Sequence, residues 1–358
     1  MEKIYLAWLH YIWFTHKKLH KIFENTQNYK EVFEKINHTY LKENWFLDKQ
    51  IEIILERYKK VNLEFLKSKL EKRKAKIITF FDSEYPENLK NVSNPPFLFY
   101  LRWKLDLSPK FAIIWSRKIS SYWNKVIEDF CIQLSKYFTI TSGWAAWCDT
   151  KAHKETLKNN WKTIAIIWTW IDLDYPIENE KLFEEIANNS WAIISIFPIW
   201  EVGNPYNFPV RNEIVAWLSE WILVVEAREK SGSLITAKLG LDLWKEIFAI
   251  PWDIFKWGSI WTNNLIKSWE AKLVLNANDI LVEFNINNNI KKEEKNIKIN
   301  FNDQIEENIY NTLIVENLNI NEISKKLKLD ISIISLKISM MEINWIIMKD
   351  ISWKYKIK

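Results

Sequence analysis

Several polar side chains that could meet a ligand stand just after short apolar runs. Ser116 and Arg117 follow Phe111–Ile114, Ser142 and Gly143 follow Phe138–Thr141, and Ser231, Gly232 and Ser233 follow Ile222–Glu226. A guanidinium such as that of Arg117 can hold a phosphate through two parallel hydrogen bonds. Hydroxyls and backbone N–H groups at a helix start add donors for the same anion. Phe208 lies in NFP, outside any periodic apolar run and so in a loop, where a ring can stack on a base or plug a core. Arg211 and Asn212 sit close by and could grip a phosphate or a base edge, while Lys162, Lys230 and Lys245 could line a basic rim. Each residue also has a purely structural reading. Arg117 could pair with a helix carboxylate, Ser142-Gly143 could be a plain turn, and Ser231 could simply cap a helix. His153 follows Asp149 by four residues, and with no nucleophile marked nearby it suits a hydrogen bond that positions a helix. The chemistry in view is anion binding; no catalytic residue, metal site or cofactor is expected.

Strand–helix alternation must place these residues. Apolar runs at 111–114, 138–141, 163–167, 192–195, 222–226 and 246–250 alternate with helical periodicity, which predicts a parallel sheet covered on both faces. The expected fold class is α/β, a Rossmann-like, doubly wound and mainly parallel sheet. Ligands in such sheets bind beyond the carboxyl ends of the strands, where the turns need glycine. Residues 1–75 read as a module of short amphipathic helices, similar to a SAM or helix-hairpin-helix unit, and 76–284 as the Rossmann-like domain. Within the latter, 76–103 begins with a strand at Ile77–Phe81 and continues as an extended connection punctuated by prolines. The polar stretch 285–302 reads as a linker. Residues 303–358 read as three helices and a hairpin, the order of a winged helix.

Composition sets the bounds. The 358 residues are 48% hydrophobic and 27% charged, as in a globular chain. Two cysteines exclude a disulfide framework and a cysteine-based zinc site, and they fit a reducing cytoplasm. No apolar run is long enough for a membrane span, and the start lacks the pattern of a signal peptide. The net charge of +5 is uneven: residues 1–76 carry 17 basic and 10 acidic groups, while 77–290 carry 21 and 25. A polyanion bound in the middle must therefore use a local site. One total is anomalous. The chain has 22 tryptophans and 5 glycines, where a domain of this length usually has roughly 25 glycines. Trp115, Trp144, Trp147, Trp168, Trp170 and Trp252 fall just past strands, and Trp244 falls where a helix would end on glycine. The pattern fits a UGA codon printed as tryptophan and read by the organism as glycine.

With those positions taken as glycine, the chain resembles the DNA-processing protein A family (DprA, or Smf). GSR appears as Trp115-Ser116-Arg117, SGxAxGxDxxAH as Ser142 through His153, and GTGxDxxYPxxN as Trp168 through Asn179. NFPxRNxxIAGLS follows as Asn207 through Ser219, VVEAxxxSGSLITA as Val224 through Ala237, and GxExFAxPG as Trp244 through Trp252. The resemblance implies a cytoplasmic protein that binds single-stranded DNA and loads a RecA-type recombinase on it, in natural transformation or related recombination. It further implies a homodimer formed through the Rossmann-like domain and no enzymatic activity. The residues it marks for DNA are Ser116, Arg117, Ser142, Gly143, Trp144 (as glycine), Lys162, Phe208, Arg211, Asn212, Ser231, Gly232 and Ser233. The chain departs from the pattern at Ile196, where the family commonly has Glu, and at Glu213, where it commonly has Arg. The alternative is a Rossmann-like nucleotide hydrolase of the nucleoside-monophosphate phosphoribohydrolase type, but its PGGxGTxxE string is absent. A third reading, a winged-helix regulator with a ligand-sensing domain, is weakened by the low basic charge of the terminal unit.

Overall fold

The structure is a computed structural model. It describes the chain apart from residues 1, 25, 27, 61, 107, 116–120, 146–147, 176–178, 189–190, 201–202, 228–230, 256–259, 287–300, 302, 345, 350–352 and 358. The chain divides into two compact units, Met1–Asn287 and Asn288–Lys358.

The first unit begins with six short helices: α1 (Lys3–Tyr11), α2 (His16–Phe23), α3 (Tyr29–Glu34), α4 (His38–Glu43), α5 (Asp48–Tyr58) and α6 (Leu63–Lys72). Thr15, Asn28, Asn37 and Asn62 start four of them, each side chain accepting from the N–H three residues on. Their apolar faces, among them Leu9, Phe23, Ile54 and Leu66, share one core with Leu98, Tyr100, Ala165 and Ile193 of the sheet. Charge reinforces this seam. Lys69 of α6 and Arg73, the residue that caps its C-terminus, meet Asp172 at 3.0 and 2.8 Å, and Arg73 also meets Asp174 at 2.7 Å.

The sheet region runs β1 (Ala75–Thr79), α7 (Glu87–Lys90), β2 (Leu98–Arg102), β3 (Lys110–Ile114), α8 (Ser121–Leu134), β4 (Thr139–Ser142), α9 (Cys148–Lys158), β5 (Thr163–Ile166), α10 (Glu180–Asn188) and β6 (Ala192–Ser195). It continues with α11 (Asn207–Leu218), β7 (Trp221–Val224), α12 (Gly232–Asp242), β8 (Glu246–Ala249), α13 (Ile260–Lys267), β9 (Lys272–Leu273) and α14 (Ala277–Glu283). The nine strands lie in the order β1-β2-β6-β5-β4-β3-β7-β8-β9. All pairs from β6 to β9 are parallel, whereas β1–β2 and β2–β6 are antiparallel. The six expected runs become β3 to β8, each within two residues at either end. Two strands differ from the expectation. Leu98–Arg102, expected as an extended connection, is a fully buried strand, because the prolines end just before it and LFYLR is apolar enough to sit inside a sheet. The first strand begins at Ala75 and stops at Thr79, not Phe81, where Asp82 accepts from the Thr79 backbone and hydroxyl and turns the chain.

Successive residues of β3 alternate between the two faces. Phe111 and Ile113 pack with Trp123, Ile127 and Ile280 of α8 and α14, while Ala112 and Ile114 pack with Ile214, Ala216 and Ala237 of α11 and α12. Each such large aliphatic or aromatic side chain contributes about 1.5–3 kcal/mol when fully buried. After β3 the chain steps outward through β4, β5 and β6, then returns along α11 to β7 on the other side of β3. The helices that follow β3 and β7, α8 and α12, pack on opposite faces of the sheet, which makes this the switch point of the strand order.

In the second unit, α15 (Gln304–Val315), α16 (Ile320–Leu327) and α17 (Ile331–Ile343) precede the hairpin of β10 (Ile347–Lys349) and β11 (Tyr355–Ile357). Ile309, Leu313, Ile323, Ile338 and Tyr355 form its own core. Three helices and a hairpin are the elements expected of a winged helix. Residues 287–300 of the expected linker lie outside the described residues.

Candidate functional site

At the carboxyl edge of the sheet, the starts of α9, α11 and α12 are tied together by side chains. Arg211, in the second turn of α11, is buried and donates through Nη1 to Asp149 Oδ2 of α9 at 3.2 Å. The same carboxylate oxygen accepts from the Ala145 N–H at 2.8 Å. Gly143 makes this approach possible, because a Cβ there would coincide with the Arg211 guanidinium. One residue further along α11, Asn212 Nδ2 donates to the Gly232 carbonyl at 3.2 Å and so fixes the start of α12. Ser231 caps that helix by accepting from the Leu234 N–H at 3.4 Å, and its hydroxyl lies 2.8 Å from that of Ser233. The first-turn N–H groups of these helices carry the positive end of the helix dipole.

Other marked residues serve the frame. Ser142 is fully buried and its hydroxyl donates to the Ile113 carbonyl at 2.8 Å, linking β4 to β3. His153 bridges Thr163 Oγ1 at 2.7 Å and the Gly143 carbonyl at 3.0 Å; burial keeps its pKa below the ordinary value. It therefore holds the 143 turn through both ring nitrogens. Phe208 lies in the first turn of α11 instead of a loop, since Asn207 already begins the helix. Its ring stacks on Trp168, with centroids 4.0 Å apart and planes at 26°. Burial shifts the Glu213 carboxyl pKa upward from its ordinary value.

Two lysines are elsewhere. Lys162 directly precedes β5, at the amino edge of the sheet, and meets Asp106 at 3.1 Å and Ser108 Oγ at 3.3 Å. Lys245 precedes β8 at the same amino edge and donates to the carbonyls of Ala216, Trp217 and Ser219, which end α11. Burial lowers its pKa to about 8. Neither lines a rim at the carboxyl edge, because a residue just before a parallel strand lies a full strand length from one just after it. Ser116, Arg117, Lys230 and Trp147 lie outside the described residues.

Indoles crowd the carboxyl edge. Trp115, Trp144, Trp168 and Trp170 are all buried there. Trp144 packs on Phe183 at 4.3 Å and on His153 at 5.4 Å. A concavity of about 860 Å³ lies instead at the amino edge, lined by Glu220, Trp244, Lys245 and Trp269 among others. Sequence reasoning missed Asp149 as the partner of Arg211 and Asn207 as a donor to the Trp168 carbonyl at 3.1 Å. Their signal was position: both are short polar side chains in the first turn of a helix after a strand. Among the described residues, no His, Cys, Asp and Glu group is placed to hold a metal, and no helix is long and apolar enough to cross a membrane.

Comparison with known proteins agrees with this architecture. Residues 76–285 match the family model described as DNA recombination-mediator protein A. A DNA processing protein DprA from Streptococcus pneumoniae is 34% identical over 234 residues, 65% of this chain and 82% of that protein. The protein Smf of Escherichia coli is 36% identical over 204 residues, which take in 56% of this chain and 54% of that protein. The solved pneumococcal DprA superposes with a TM-score of 0.67 at 30% identity, covering 78% of this chain and 97% of that one. DNA processing protein A from Helicobacter pylori, studied for its single-stranded DNA binding mode, shares the fold with a TM-score of 0.52 at 24% identity, covering 58% and 95%.

Proposed function

Since the chain belongs to the DNA recombination-mediator protein A family, we propose that it binds single-stranded DNA along the carboxyl edge of its parallel sheet. The observation that carries this reading is the convergence of three helix starts, locked by the Arg211–Asp149 and Asn212–Gly232 contacts. Helix starts present unpaired N–H groups to an anion, and a row of them suits a strand of phosphates. Arg117 and Ser116, which follow β3 in sequence, are the proposed phosphate ligands from that turn, with Ser231 and Ser233 as further donors. Arg211 is a positioning residue, because its charge is already held by Asp149. Phe208 offers a ring for base stacking. The Helicobacter relative, described by its single-stranded DNA binding mode, supports the choice of ligand.

The bound strand is handed to a RecA-type recombinase, and the protein acts in the cytoplasm as a homodimer paired through the sheet domain. No chemical step on DNA is assigned: among the described residues, the hydrogen-bonded side chains at the edge position helices. The test is binding of labelled single- and double-stranded oligonucleotides across a salt titration. Single strands are expected to bind more tightly, with an affinity that falls steeply as salt rises. Arg117→Ala should weaken binding about tenfold, the loss of one charge-assisted phosphate contact. Equal affinity for both forms, or no loss in Arg117→Ala, would refute the reading.

A further inference from the structure

We infer that glycine, not tryptophan, occupies positions 13, 45, 103, 200, 244, 269 and 353 in the protein as its host makes it. Among the described residues, eleven non-glycine residues have a positive φ, and seven of them are these tryptophans, at 57° to 99°. None of the described glycines has a positive φ. A bulky side chain in this region is a steric outlier, whereas glycine adopts it without penalty.

Four of the seven share one geometry. After α1, the Trp13 N–H donates to His10 and the Phe14 N–H to Leu9. After α4, Trp45 donates to Lys42 and Phe46 to Leu41. After α12, Trp244 donates to Leu241 and Lys245 to Gly240; after α13, Trp269 donates to Ile266 and Glu270 to Leu265. This paired pattern is the Schellman ending, whose left-handed residue is usually glycine and sometimes asparagine. Asn160 and Asn285 fill the same position after α9 and α14, at φ of 56° and 54°. The chain thus fills the left-handed positions after its helices with asparagine, tryptophan or, at Lys74 and Lys328, lysine, and among the described residues never with glycine. Trp244 and Trp269 are 97% and 95% exposed, so no packing explains an indole there. Trp353 stands between β10 and β11, and Trp103 directly after β2, both positions of chain reversal or exit.

A second, independent observation extends the assignment to the carboxyl edge. The indole nitrogens of Trp115, Trp144, Trp168 and Trp170 are buried with no hydrogen-bond partner. A buried tryptophan normally satisfies that donor, and leaving it unmade is costly. With glycine at these four positions the orphaned donors vanish and backbone N–H groups become approachable. Glycine at 168 also uncovers the face of Phe208 that the indole now stacks on. That last consequence deepens the DNA-binding reading; the identity of the residues does not depend on it.

The deciding measurement is peptide mass spectrometry of the protein purified from its native host. Glycine masses are expected at 13, 45, 103, 200, 244, 269 and 353, and at 115, 144, 168 and 170. Tryptophan at the seven positive-φ positions would overturn the inference, whatever the DNA-binding result. A second test uses the chain as written. Trp244→Gly and Trp269→Gly should each raise the thermal midpoint above Trp244→Ala and Trp269→Ala, since alanine keeps the left-handed strain and glycine removes it. Equal midpoints for the glycine and alanine variants would overturn the backbone argument.

Discussion

Gly143, Arg211 and Asp149 behave as one unit. The guanidinium fills the space where a Cβ at 143 would stand, and it pairs with a carboxylate that is almost as buried as itself. Removing one partner of such a pair leaves the other charge uncompensated, so Arg211→Ala should cost about 3–5 kcal/mol in a denaturant titration. Gly143→Ala should expel the guanidinium and cause a loss of the same kind. The double variant should then lose much less than the sum, because both changes break one contact. Additive losses would show that the two residues act separately. His153 belongs to the same unit through the Gly143 carbonyl.

At the scale of elements, the seam between the N-terminal helices and the sheet carries one buried and one half-buried imidazole. His10 in α1 and His16 in α2 lie with ring centroids 4.7 Å apart, and His10 stacks over Tyr100 of β2. Burial lowers the pKa of His10 well below its usual value and that of His16 from 6.5 to about 4, each ring also repelling the charged form of a neighbour. The unfolded chain therefore takes up protons first. Stability is full above about pH 6.5 and falls as the pH drops toward 4. The thermal midpoint should decline over that window, and His16→Gln should flatten the decline. A midpoint independent of pH between 6.5 and 4 would show that the imidazoles do not couple to folding. The helices were legible from their period, but this coupling was not: nothing in the spacing of His10 and His16 brings their rings together or places His10 against β2.

At the scale of the molecule, two units carry separate cores, one built around the sheet and one around Ile309, Ile323 and Ile338. A chain ending at residue 287 should keep the thermal transition of the sheet unit within a few degrees, because no core residue of that unit comes from beyond it. A large drop would show that the second unit supports the first. The same truncation tests the share of each unit in the proposed DNA binding, since the carboxyl edge lies wholly in the first unit.

The sequence by itself determined the alternation of strands and helices, the terminal three helices and hairpin, and the clustering of polar residues after the strands. These are local properties: period, capping residue and turn composition are written within a few positions of one another. It also exposed the shortage of glycine, because a total needs no coordinates. Only the tertiary structure decided that Leu98–Arg102 is a strand, that Arg211 is neutralised by Asp149, and that Lys162 and Lys245 belong to the amino edge. Those depend on which distant segments meet. A strand's edge partner, a guanidinium's carboxylate and the end of the sheet a lysine occupies are fixed by packing between residues tens of positions apart.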